Sequence, residues 1–203
     1  MNAESRPGLP PAIDKLNSWK SYRLVLLVAP RGSGKTALLR KWTKEVEGSG
    51  VVGSGTKGLV RVIWIDLGPQ DNDPECFLAD LAAGLDERGW PSEGLKEEAG
   101  ARISPGSHAS TSLAGEALPR FESGMTALAN ALTTIQGELI LVLDHYHNIF
   151  APKVHAAVAQ LLDYPPPQVH LVIACRGEPP LPLPRLRARR QMIDILPADL
   201  RSS

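Results

Sequence analysis

The densest chemistry in the sequence lies in "VAPRGSGKTALL", Val28 to Leu39. It follows an apolar run and precedes a segment of helical spacing, the setting that a phosphate-binding loop requires. Pro30, Arg31, Gly32, Ser33 and Gly34 form the turn. Gly32 and Gly34 can take the backbone angles that aim successive N–H groups at an anion. The start of the next helix, through Ala37, adds further N–H groups and partial positive charge. Lys35 is spaced to reach β- and γ-phosphates, and Thr36 to place its hydroxyl on Mg²⁺. The motif's usual first glycine is Ala29 here. It falls at the strand exit, where a methyl group need not meet a phosphate.

Two more residues end apolar runs. "LILVLDHYH" delivers Asp144 at the tip of a strand, and ligands of open parallel sheets bind at that edge. Opposite Thr36, the carboxylate can hold Mg²⁺ directly or through water. Arg176 directly follows "VHLVIAC". A cation fixed there either contacts a terminal phosphate or caps a strand end as an ordinary surface arginine. His145 and His147 raise the question of a metal, but no further ligand stands near them in the sequence. Arg185, Arg187, Arg189 and Arg190 form a basic cluster. It reads as a nucleic-acid patch or as a solvated helix ion-paired to neighbouring domains.

The elements that must position these groups follow from apolar patterning. Five short apolar runs read as strands: 23–28, 60–67, 138–144, 169–175 and the weaker 192–196. Segments of helical spacing separate them at 35–46, 74–88, 125–136 and 154–162. Asp73 precedes Pro74 as an N-cap before a proline at the first helical position. Alternating strands and helices imply an α/β domain with a mostly parallel five-stranded sheet covered by helices. Residues 1–22 read as a lead-in and 23–203 as the phosphate-binding domain. Flexible insertions are expected near 47–58, rich in Gly and Ser, and 91–120, small and polar with room for one short helix.

Bulk properties bound the class. The 203 residues suffice for one domain, and 43% hydrophobic with 22% charged residues is ordinary for a globular chain. Twenty-two acidic residues balance twenty-two basic ones, which argues against a chain dominated by nucleic-acid or membrane attraction. The N-terminus carries no secretory pattern and no run is long enough to span a membrane, so a cytoplasmic location is expected. Cys76 and Cys175, far apart, are expected to be buried, reduced thiols.

The segments "APRGSGKTALLRKW", "VIWIDLGPQDNDPECFLADL", "LVLDHYHNI" and "VIACRGEPPLPLPRLRARRQMIDILPADLR" occur in an order that resembles the MalT-like STAND ATPases. These are the signal-responsive P-loop regulators among the large LuxR-type transcription factors. The resemblance runs from about Pro10 onward, outside the two insertions. It implies a three-layer P-loop fold that binds ATP and ADP with Mg²⁺ as a regulatory switch. It makes Ala29 unexceptional, since Ala or Ser commonly stands there. It also implies that the strand before Arg176 lies between the phosphate-loop strand and the Asp144 strand, which favours Arg176 as a γ-phosphate sensor. Trp19, Trp42 and Trp64 would then pack in the core.

Two departures stand out. The family usually has two adjacent acids after its third strand, one for Mg²⁺ and one for the attacking water. Here the pair is Asp144 and His145. Imidazole can accept a hydrogen bond from water but lacks a carboxylate's charge, so the expectation is nucleotide binding with slow or absent hydrolysis. Family members also continue past "ADLRSS" into a winged-helix-like module, helical repeats and a helix-turn-helix. The expected partners are therefore the nucleotide and other protein domains, with no direct DNA binding by this chain. A catalytically active ATPase or phosphotransferase, and a nucleotide-free interaction remnant, are the competing readings.

Overall fold

The computed structural model describes residues 11–49, 59–98 and 117–201. Five strands, β1 (Leu24–Val28), β2 (Val60–Asp66), β3 (Glu138–Asp144), β4 (Val169–Cys175) and β5 (Met192–Ile195), form one sheet in the order β2-β3-β4-β1-β5. Every pairing is parallel. The expected strand order is found: β4 lies between β1 and β3.

Among the described residues seven α-helices accompany the sheet: α1 (Pro11–Asn17), α2 (Lys35–Ser49), α3 (Pro74–Glu87), α4 (Glu93–Glu98), α5 (Ala117–Thr133), α6 (Pro152–Asp163) and α7 (Leu183–Ala188). Successive strand residues point to opposite faces, and both faces are buried. Leu24, Leu26, Leu139, Leu141, Leu143 and Leu171 share one core with Phe77, Leu81, Leu128 and Leu161 of α3, α5 and α6. Val25, Val62, Val142, Val172 and Ala174 share the other with Leu16 of α1, Trp19, and Leu39 and Trp42 of α2. The result is three layers, helix on sheet on helix, as the resemblance implied. The lead-in takes part: Ala12 and Leu16 are fully buried, and Lys15 pairs with Asp199 at 2.7 Å.

Asp73 caps α3 as expected, its carboxylate accepting from the Glu75 N–H at 2.9 Å. Gly84 lets that helix approach the sheet closely, because a Cβ there would stand 2.5 Å from Ile63 Cγ2.

The structure corrects several sequence expectations. Helix α2 continues through Ser49, so Glu47 to Ser49 are helical rather than loop; residues 50–58 of that expected insertion lie outside the described residues. In the second insertion α4 is the short helix, and 99–116 lie outside. Helix α5 begins at Ala117, eight residues before the predicted start at Met125. Phe121 explains this, since it extends the buried stripe of Met125, Leu128 and Leu132 one turn back. Trp19 and Trp42 are core residues, but Trp64 is only half-buried, with Arg40 stacked 5.2 Å from its ring centroid. No disulfide joins the cysteines. Cys175 is buried, which pushes its thiol up to about 12, whereas Cys76 is half-buried.

Candidate functional site

The tips of β1, β2, β3 and β4 meet at the carboxyl edge of the sheet, where parallel strands expose their last residues to a ligand. The turn between β1 and α2 opens onto a cavity of about 340 Å³ lined by Arg31 to Ala37, His145, His147 and Arg176. Gly32 and Gly34 sit at φ 78° and 82°. A side chain there is disfavoured by the backbone rather than by crowding, since a Cβ at either position meets nothing within 4 Å.

Lys35 is buried at the start of α2 and folded onto its own loop. Its ammonium donates to the carbonyls of Ala29 at 2.7 Å and Pro30 at 2.9 Å, and to Ser33 Oγ at 3.3 Å. Burial lowers its pKa, the Asp144 charge pulls it back up, and Arg176 lowers it again. Both cations line the same cavity.

Thr36 Oγ1 donates to Asp144 Oδ2 at 2.8 Å, joining residues 108 apart in sequence. Asp144 is almost fully buried, and its other oxygen accepts from the His145 N–H at 2.8 Å. Hydroxyl and carboxylate are hard oxygen donors of the kind Mg²⁺ takes. His145 adopts a left-handed conformation, φ 56° and ψ 31°, uncommon for a residue with a side chain. His147 also faces the cavity. Its pKa is lowered by burial first, then by the charges of Arg176, His145 and Lys35. Arg176 is exposed just beyond β4. Arg31 to Ala37, His145 and Arg176 thus share one cavity; Pro30 and Asp144 are not among its lining residues, and Asp144 is joined to them through Thr36.

Sequence reasoning missed Asp66. It ends β2 exactly opposite Asp144 in the strand register, and its Oδ1 lies 2.5 Å from His145 Nδ1. Asp66, Asp144 and His145 offer ligand atoms within 4.8 Å of one another. The expectation that His145 and His147 lack further ligands nearby is corrected for His145, which the fold brings to Asp66; His147 is not in this cluster. A signal was present: "VIWIDL" is an apolar run reaching an acid, like "LILVLD".

The basic cluster is also corrected in part. Arg185 pairs with Asp163, and Arg187 with Glu178 at 2.7 Å and Asp194 at 3.0 Å, so these ion pairs lie within the domain. Hydrogen bonds to Asp194 and Glu178 raise the Arg187 pKa. Arg189 and Arg190 are exposed. Among the described residues no helix is long and apolar enough to cross a membrane.

No family model matches the chain. It is 28% identical over 184 residues to the HTH-type transcriptional regulator MalT of Yersinia enterocolitica, and 29% identical over 184 residues to MalT of Klebsiella pneumoniae. Each match covers 89% of this chain and 17% of the relative, so the chain spans about a sixth of the length of these regulators. Among solved structures, Cdc6p of Pyrobaculum aerophilum superposes with a TM-score of 0.55 at 18% identity, covering 91% of this chain and 43% of that one. The Orc1 protein of Aeropyrum pernix, solved in complex with DNA, gives 0.53 at 18%, covering 91% and 42%. At that identity these two speak to the fold alone. The order of motifs and the five-stranded parallel sheet accord with the likeness to MalT, so the chain is similar to one segment of the MalT regulators.

Proposed function

We propose that the domain binds ATP and ADP with Mg²⁺ as a regulatory switch and hydrolyses ATP slowly. The observation that carries this is the 2.8 Å bond to the buried Asp144 from Thr36, which lines the cavity together with the glycine-bearing loop. The loop N–H groups and the start of α2 receive phosphate oxygens. Lys35 exchanges its loop carbonyls for the β- and γ-phosphates, and Arg176 contacts the γ-phosphate. Thr36 and Asp144 hold the magnesium ion, which when bound spreads the charge of the β- and γ-phosphates. The two nucleotides differ by the phosphate that Arg176 reads, so each favours its own arrangement of the domain against neighbouring domains. A cytoplasmic setting, with other protein domains as partners and no direct DNA contact by this chain, completes the reading.

Calorimetric titration with Mg-ATP and Mg-ADP tests it. The parent chain binds both, the binding needs magnesium, and Lys35→Ala weakens it by roughly 100-fold, the loss of a charge-assisted contact of about 3 kcal/mol. Absence of binding in the parent overturns the proposal. Single-turnover hydrolysis tests the rate: His145→Asp is expected to be faster than the parent, and an equal or lower rate shows that His145 is not what limits turnover.

A further inference from the structure

The structure shows an unexpected partner for the residue that weakens the site. His145 Nδ1 lies 2.5 Å from Asp66 Oδ1 and 3.9 Å from Asp144 Oδ2. The ring lines the phosphate cavity, and among the described residues its Nε2 has no hydrogen-bond partner. Asp144 is already engaged with Thr36 and with the His145 backbone N–H. Asp66 is therefore the carboxylate available to the ring.

We infer that Asp66 is a positioning residue for hydrolysis: it holds His145 with the proton on Nδ1 and leaves Nε2 as the acceptor that faces the attacking water. This rests on the nucleotide site proposed above. The bond made by one ring nitrogen decides which nitrogen carries the proton. A neutral imidazole protonated on Nδ1 presents a lone pair at Nε2, and a carboxylate behind it supplies the negative charge that a second acid would bring directly. Asp66 and His145 together thus occupy the role of a single carboxylate, with the charge displaced by one ring. The left-handed backbone at His145 belongs to this arrangement, because it sets the direction in which the ring leaves β3.

The step balances without a further reactant. The water oxygen forms a bond to the γ-phosphorus as the bond from that phosphorus to the β,γ-bridging oxygen breaks. ADP leaves with the electron pair. The proton lost by water passes to Nε2 while Nδ1 keeps its own proton against Asp66, and the imidazolium then releases a proton to solvent. Asp66 is 60% exposed in its side chain, so solvent screens its charge. Its removal is expected to cost about tenfold, below the ~10²–10⁴-fold of a complete acid–base group.

Two measurements test the pair. Nitrogen NMR of the nucleotide-free chain, at a pH above the imidazole range, reads the tautomer directly. The parent is expected to carry the Nδ1–H form, and Asp66→Ala to shift it towards Nε2–H. Single-turnover hydrolysis then gives a double-mutant cycle. Asp66→Ala slows the parent about tenfold while nucleotide affinity stays within about twofold. In the His145→Asp background the same change causes no slowing, because Asp66 then faces a like charge. An Nε2–H parent, equal slowing in both backgrounds, or a loss confined to affinity overturns the inference. A parent that binds no nucleotide fails the reading beneath it, whereas a parent that binds but ignores Asp66 fails this inference alone.

Discussion

Two histidines at opposite edges of the same sheet meet a carboxylate in different ways. His170, at the amino edge, is buried. Its Nδ1 lies 2.9 Å from the Tyr22 carbonyl oxygen, its Nε2 lies 3.3 Å from Glu138 Oε2, and its ring meets Trp19 edge to face at 4.6 Å. Both nitrogens are taken and the backbone is ordinary strand. His145, at the carboxyl edge, is half-exposed and left-handed, with one nitrogen against Asp66 and its ring among the residues that line a cavity. At the amino edge the His170 ring is fully engaged. At the carboxyl edge the His145 ring borders a cavity, and its backbone is left-handed.

The largest expected effect breaks the amino edge. His170→Leu preserves bulk but leaves the Tyr22 carbonyl and Glu138 without their partner, a loss of about 1–3 kcal/mol in unfolding free energy. Nucleotide affinity should not change. A stable variant, or one with altered affinity, would mean that the two edges are not separate in function.

A second test lies in the acids that follow β2. Asp71 is fully buried and Asp80 lies beside it. Burial, then the hydrogen bond to Asp71 and its charge, push Asp80 up to about 6. A carboxyl whose folded pKa is raised stabilises the fold below its unfolded value near 3.8 and loses that stabilisation as pH rises through about 6. Asp80→Asn should therefore be more stable than the parent at pH 7, by on the order of 1 kcal/mol after allowance for solvent screening. The difference should vanish below about pH 4. Asp199 runs the other way. Burial alone would raise it, but hydrogen bonds from Lys15 and the Leu196 N–H, with the Lys15 charge, hold it below its usual value. Its stabilisation is present above the unfolded value and is lost as pH falls through the depressed one. Chemical denaturation across this range checks both signs; a gap that persists unchanged in acid refutes the assignment to Asp80.

What the sequence made legible follows the same division. Strands β3 and β4 were readable to the residue, because continuous apolar runs buried on both faces admit few alternatives. The loop from Pro30 to Gly34, with Lys35 and Thr36, was readable because its chemistry is local. The start of α5 was not, since "ALPRFESG" looks polar until Phe121 finds the core shared with α3 and α6. Asp66 was missed for a different reason. An acid at a strand end is commonplace, and it acquires meaning only when pairing places it level with Asp144. Long-range register is a property of the sheet, and no single segment carries it.

The smallest effect asks what the carboxyl edge costs. Glycine takes φ 56° without the steric penalty that a Cβ meets, about 1–2 kcal/mol, although it also loosens the unfolded chain by about 0.4–1 kcal/mol. The exposed contact with Asp66 contributes little to folding. His145→Gly should therefore raise unfolding free energy by about 0.5–1 kcal/mol while abolishing the tautomer-dependent part of hydrolysis. The same substitution at His170, in regular strand with both ring nitrogens engaged, should only destabilise. Denaturant midpoints of the two glycine variants decide the matter. If His145→Gly loses stability as His170→Gly does, the left-handed turn is held by the ring's own bonds, and the carboxyl edge stores no strain for Asp66 to exploit.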